Sequence, residues 1–226
     1  MKKILKKLLF VPLTLLLCSF TPRMGTYGTV GLTLYSYSEY TSSGSTSSGI
    51  GHSFVALENN TSWPLDLGFY TLPPFGKCTL GLWGNDNIND YTGDISIEAC
   101  ADGIFYNREA YAFTHNYGNP SDMVKLYREV DSGQFISRIS NFRGNQNYLQ
   151  YNAEQYSLIG YNCSNFAAEF FAISTQMDFG PILSPQALCG KMNDFGASPA
   201  VAQEEIFQTN NFWRYLNDGT RIDYPN

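Results

Sequence analysis

Polar and apolar positions alternate with a period close to two along residues 26–40 (TYGTVGLTLYSYSEY), a stretch rich in Thr and Tyr, and this predicts a β-strand. Residues 41–51 are a Ser/Gly/Thr run with nothing to bury and are expected to form a flexible loop. Residues 52–57 (HSFVAL) and 65–70 (LDLGFY) read as two further strands around a polar turn, so that the three elements would form a meander. Residues 76–93 hold several Gly, Asn and Asp and few apolar positions, and are expected to wander as loop. Residues 94–100 (DISIEAC) and 109–114 (EAYAFT) look like two more strands. After Pro120, Ser121 is a good N-cap for a helix over residues 122–130, with Met123, Leu126, Tyr127 and Val130 on one face. A more polar helix is predicted around residues 146–155, and the strongest helical signal of the chain spans 163–175. Scattered helical turns and Pro181, Pro185 and Pro199 mark the last third, and no repeat at solenoid periods is present. The pattern predicts one α+β domain over residues 25–226, an antiparallel sheet with helices packed against it.

The first twenty residues break this pattern. Lys2, Lys3, Lys6 and Lys7 precede an apolar region from Leu8 to Leu17, the charge-then-apolar order of a secretory signal peptide over residues 1–20. The chain is therefore expected to be exported, periplasmic or secreted. Cys18 raises a lipid anchor as a lesser alternative, against which Leu17 stands where a small residue is wanted. Past this segment no stretch reaches the length of a membrane span.

Composition narrows the function classes. Hydrophobic residues make up 43% of the 226 and charged residues 15%, which excludes a disordered chain. Sixteen Phe, 16 Tyr and 3 Trp add to the β tendency. The net charge is −6, and residues 1–20 take four Lys and no acid with them on removal, leaving −10. So acidic a protein is not built to bind a nucleic-acid backbone.

Candidate chemistry is limited by two histidines, His52 and His115. Asn162 is a good N-cap, which places Cys163 in the first turn of the predicted 163–175 helix. There the unpaired backbone N–H groups and the helix dipole favour an anion, so the thiol should ionise easily. The same N–H groups, that of Cys163 among them, could stabilise an oxyanion. A base is the remaining requirement, and His52 is the leading candidate. A Cys on the apolar face shared with Phe166, Ala167 and Phe170 is, taken alone, as readily a small core residue. No nucleophile elbow, no zinc-binding pair and no phosphate-cradling loop is present, and neither a metal nor a cofactor is predicted. Glu39, Asp66, Glu98, Asp102 and Glu109 could converge as acids for glycoside cleavage, without a motif to group them.

The segments GHSFVALEN (residues 51–59) and YSLIGYNCSNFAAEFF (residues 156–171) together resemble the permuted NlpC/P60 papain-like superfamily, which includes lecithin:retinol acyltransferase-like proteins and PPPDE-type isopeptidases. In that group the His precedes the Cys, and an Asn-Cys dipeptide opens a helix followed by aromatic and small residues. His52 after Gly51 and Asn162-Cys163 before Phe166 match. The resemblance implies a circularly permuted papain-like fold and a cysteine hydrolase of amide or ester bonds, with Cys163 as nucleophile and His52 as base. Its substrate would be a peptide, a cell-wall crosslink or a lipid ester. The family pattern often adds a third polar residue, and no second His follows His52 closely. Asp66 is the candidate, brought beside His52 if Asn59 and Asn60 centre a hairpin turn. His115 is the alternative orienter or base. The competing reading from another class is a non-catalytic binding or adhesion module that uses its aromatic-rich strands. Of the cysteines outside the leader, Cys78 and Cys100 could close a disulfide across the intervening loop, with Cys189 as competing partner for either.

Overall fold

A computed structural model describes residues 28–41, 48–68, 70–84, 101–115, 120, 122–140, 161–216 and 218–224. The fold is α+β, and its centre is a pair of long strands, β1 (Thr29–Thr41) and β2 (Ser48–Asn60), antiparallel throughout with Thr29 opposite Asn60 and Tyr37 opposite His52. The predicted loop at 41–51 is therefore part strand: β2 begins at Ser48, opposite Thr41. A backbone ladder needs only N–H and C=O groups, which any residue supplies.

The meander does not form. β3 (Leu65–Asp66) pairs only with β4 (Thr71–Leu72), in a separate two-stranded sheet. Asn59, at the end of β2, explains why. Its Nδ2 donates to the carbonyls of Trp63 and Pro73 at 2.8 and 2.9 Å, and its Oδ1 accepts from the Thr61 N–H and hydroxyl. One buried amide thus folds residues 61–73 back on themselves. β2 then pairs with β5 (Lys77–Gly84), in the stretch expected to be loop. Leu80 and Leu82 of β5 are fully buried and alternate with Thr79, Gly81 and Trp83, a period-two pattern that the glycines obscure.

β6 (Ala101–Tyr106) follows. Asn107, in the left-handed region at φ 64, then turns the chain into α1 (Arg108–Thr114). Residues 109–114 are a helix, not the predicted strand. Glu109, Ala110 and Phe113 are the buried positions, spaced as one helical face. The opposite correction applies to residues 122–130, where β7 (Val124–Asp131) replaces the predicted helix. Leu126 and Val130 point inward, and a spacing of four fits alternate residues of a strand as well as one face of a helix. Ser121, the predicted strand at 94–100 and the predicted helix at 146–155 lie outside the described residues.

α2 (Ser132–Ile139) and α3 (Cys163–Thr175) come next, α3 with the predicted bounds. They are followed by α4 (Pro185–Asp194), β8 (Ser198–Pro199), the short α5 (Ala202–Glu205), β9 (Phe212–Tyr215) and β10 (Arg221–Tyr224). Eight strands make one antiparallel sheet of order β10-β9-β6-β5-β2-β1-β7-β8. On one face Leu32, Leu34, Val55, Leu57 and Leu80 pack against α2, α3 and α4 through Phe135, Phe166, Phe170 and Leu188. Each of the buried phenylalanines contributes about 1.5–3 kcal/mol by leaving water. On the other face Tyr35, Tyr37 and Phe54 pack against Ala110 and Phe113 of α1 and Ala202 of α5. No described helix is long and apolar enough to cross a membrane.

Candidate active site

Two neighbouring residues of β2, His52 and Ser53, serve opposite faces of the sheet. β2 and β5 pair from Glu58↔Lys77 to Val55↔Leu80, and the pairing goes no farther. Beyond that point the side chain of Ser53 points to the α3 face, where its hydroxyl meets that of Ser164. The side chain of His52 points to the α1 face, where it meets Glu109. Cys163, at the first position of α3, comes beside His52 here, and the charges of the thiol and the imidazole act on one another.

Each member is held by its local fold. Asn162 caps α3: its Oδ1 accepts from the Ser164 and Asn165 N–H groups at 2.9 and 3.3 Å, while Asn165 Oδ1 accepts from the Asn162 N–H. This reciprocal box leaves the Cys163 N–H as the first-turn donor that the cap does not use. The amide groups of Asn162 and Asn165 also donate to the carbonyls of Leu183 and Ile182, tying the approach to α4 against the Cys163 helix. His52 is fixed by the β1–β2 register, and Gly51 before it permits close strand contact. A Cβ there would lie 2.0 Å from the Tyr37 carbonyl oxygen.

Glu109 is the carboxylate of the site. Its Oε1 lies 3.1 Å from His52 Nε2 and accepts from the Trp83 indole N–H at 2.8 Å, and its Oε2 accepts from the Thr79 hydroxyl at 2.9 Å. With Nε2 so engaged, Nδ1 is the ring nitrogen left for the sulfur. Thr79 and Asn107 also exchange bonds, which lock the start of α1 to β5. Gly81 of β5 makes room for the pair, since a Cβ there would stand 1.7 Å from Glu109 Oε1 and 3.1 Å from His52 Nε2. Trp83 covers the imidazole at 4.3 Å between ring centroids, and the Arg108 guanidinium lies 4.1 Å from the Trp83 ring centre.

The electrostatics follow from burial and pairing. Cys163, His52 and Glu109 are 5, 7 and 2% exposed. Burial alone would depress the imidazole pKa. The charge and hydrogen bond of Cys163, then those of Glu109, outweigh it and raise His52 to about 9. Burial alone would raise the Cys163 thiol. The charge and hydrogen bond of His52, with the Ser53 N–H and, when its proton faces the sulfur, the Ser164 hydroxyl, outweigh it and hold the thiol below its usual range. Burial likewise opposes ionisation of Glu109, and its bonds to His52 and Trp83 keep its carboxyl below the ordinary range. Both shifts run toward a thiolate–imidazolium pair, backed by a carboxylate.

The sequence-based candidates separate cleanly. Cys163, His52 and Asn162 come together. Asp66 does not join them: it is exposed in β3, and its carboxylate accepts the Gly68 N–H at 2.9 Å. The hairpin that would have carried it to His52 is replaced by the Asn59-centred fold and the β2–β5 pairing. His115 is exposed at the end of α1, with Nδ1 2.9 Å from the Tyr111 carbonyl and its ring on Tyr111. Glu109 was missed as the carboxylate beside His52 because its segment reads as a strand. The available signal was the i, i+4 spacing of Glu109 and Phe113, which places the carboxylate on the inward face of a helix.

The Cys78–Cys100 bridge is not made, and Cys78 is a free, buried thiol of the core. Cys100 lies outside the described residues. Its neighbour Ala101 pairs with Gly84, which is six residues, or about 20 Å, along β5 from Cys78. A disulfide spans less than about 7 Å between Cα atoms. Among the described residues no group of three or more His, Cys, Asp or Glu could hold a metal ion.

No protein-family model, curated protein or solved structure matches the chain.

Proposed function

We propose that the protein is an exported cysteine hydrolase that cleaves an amide or ester bond through Cys163, His52 and Glu109. The observation that carries this reading is the buried thiol–imidazole–carboxylate chain, assembled at a helix N-terminus from three separate elements. In the proposed mechanism the Cys163 thiolate attacks the substrate carbonyl carbon. The new C–S bond forms as the carbonyl electron pair moves to oxygen, where the Cys163 N–H donates to it. Collapse expels the amine or alcohol, which takes its proton from His52 Nδ1, and leaves a thioester. His52, now neutral, deprotonates a water that attacks the thioester, and the thiolate departs as the acid forms. Glu109 holds the ring orientation throughout and keeps its charged form favourable.

The order of His52 before Cys163, and an Asn-Cys pair opening a helix packed on the sheet that carries the His, support assignment to a permuted papain-like fold of NlpC/P60 type. Within that class, peptides such as cell-wall crosslinks and lipid esters are the candidate substrates. Export rests on residues 1–20, which lie outside the described residues. A mature N-terminus between about residues 18 and 26 is expected by mass spectrometry. An intact Met1 on protein recovered from the cytoplasm would overturn it.

The test of the activity is capture of the acyl intermediate. Brief exposure to an activated ester such as p-nitrophenyl acetate, followed by acid quench and peptide mass analysis, should place the acetyl group on Cys163. Cys163→Ala should remove both the adduct and the burst of p-nitrophenol. Acetylation spread over other nucleophiles, unchanged in Cys163→Ala, would leave the binding-module reading in its place.

A further inference from the structure

The site described above does not account for three buried serines beneath it. Ser36 of β1, Ser53 of β2 and Ser164 of α3 are each 0% exposed. Ser36 Oγ donates to the Pro185 carbonyl at 3.0 Å and lies 2.7 Å from Ser53 Oγ. Ser53 Oγ is 3.2 Å from Ser164 Oγ, and Ser164 Oγ is 3.9 Å from Cys163 Sγ. The four elements around the nucleophile are joined by a single file of hydroxyls.

The direction of that file can be derived. A carbonyl only accepts, and a hydroxyl has one proton. Ser36 therefore gives its proton to Pro185 and must accept from Ser53. Ser53, its proton committed, must accept from Ser164. Ser164 then has no proton for the sulfur and can only accept from a Cys163 S–H. When the sulfur is an anion it needs a donor, and Ser164 can become one only if all three hydroxyls turn round. That reversal takes the Ser36 proton away from Pro185.

We propose that Ser36, Ser53 and Ser164 are positioning residues that form a reversible hydroxyl chain, anchored at the Pro185 carbonyl, which resists ionisation of Cys163 until the three protons turn toward the sulfur. The chain sets how easily the nucleophile is released, and the proposal rests on the cysteine-hydrolase reading. The charged and titratable groups around it are His52 from β2, Glu109 from α1, and Cys189 of α4, whose thiol is influenced by Ser36 and Asp122.

The experiment is the pH dependence of iodoacetamide labelling at Cys163, read by peptide mass spectrometry, in wild type, Ser53→Ala, Ser36→Ala and Ser164→Ala. Cutting the chain at Ser53 or Ser36 frees Ser164 to donate to the sulfur without cost at Pro185. Both variants should lower the labelling midpoint by about half to one pH unit, the size of one hydrogen bond. Ser164→Ala removes the donor and should raise it. A merely structural role predicts weaker activation in all three variants. A variant that loses the fold reveals itself by labelling of buried Cys78, and the remaining variants then decide. A raised or unmoved midpoint in folded Ser53→Ala and Ser36→Ala, with wild-type labelling still dependent on His52, overturns the chain alone. Wild-type labelling indifferent to His52→Ala overturns the dyad and the chain with it.

Discussion

Iodoacetamide will alkylate Cys163 at a rate that rises less steeply between about pH 6 and 8 than in His52→Ala, where it will climb about tenfold per pH unit toward an ordinary thiol pKa of about 8.5. The cause is the imidazolium beside the sulfur, which favours the anion in the buried pair. An ordinary thiol at pH 6 is ionised to only a few parts per thousand. Activation does not translate directly into rate, because a thiolate of lower pKa is intrinsically a weaker nucleophile. The two effects partly cancel, and a net advantage of about tenfold for the wild type at pH 6 is what remains. The shape of the profile is therefore the better diagnostic. Hydrolysis adds a second limb that alkylation lacks. Expulsion of an amine needs the His52 proton, and the imidazolium is lost as the pH rises through about 9. Turnover of an amide substrate should fall above that point while alkylation does not. A wild-type labelling profile that tracks an ordinary thiol would sink the ion pair.

The place of Cys163 at a helix start was legible in the sequence because its determinants are local. An Asn cap, a Cys at the next position and a 13-residue apolar helix need only neighbours along the chain. His52 was legible through its strand and its spacing to Cys163. Glu109 was not, because the information that places it beside His52 is held elsewhere: in Gly81, whose missing Cβ admits the carboxylate, and in Thr79 and Trp83, which hold it. The strand-helix exchanges have a similar origin. Leu126 and Val130 fit either period, and sheet pairing with β1 decides between them. Leu80 and Leu82 looked isolated among glycines, yet β5 is a central strand whose Gly81 admits the Glu109 carboxylate. Asp66 failed for a long-range reason too, since the multiple bonds of Asn59 redirect the chain before a hairpin can close.

Glu109→Ala is expected to be the most destabilising change at the site, at about 3 kcal/mol or more, with Glu109→Gln costing about 1–2 kcal/mol. Alanine leaves the Thr79 hydroxyl, the Trp83 indole N–H and the imidazolium without the acceptor they share. Glutamine can keep the pattern: its oxygen accepts from Trp83 and His52, and its amide donates to Thr79. What glutamine loses is the charge, so the two variants separate geometry from electrostatics. The His52 pKa, raised in the native protein, adds stability that is fully present below about pH 6.5 and is lost as the pH rises through about 9. The Glu109 pKa, depressed in the native protein, adds stability that is present above the ordinary carboxylate value of about 4.3 and is lost as the pH falls through its lower native value. Glu109→Gln should weaken the first contribution and abolish the second, giving a shallower loss of stability on acidification below about pH 4.3. The alkaline limb of amide turnover should move down from about 9 in the same variant, because His52 has lost one of the two groups that favour its charged form. Urea unfolding at acidic, neutral and alkaline pH measures the stabilities, and a pH–rate profile measures the limb. A Glu109→Gln protein with wild-type acid stability and an unmoved alkaline limb would show that Glu109 only fills space beside His52.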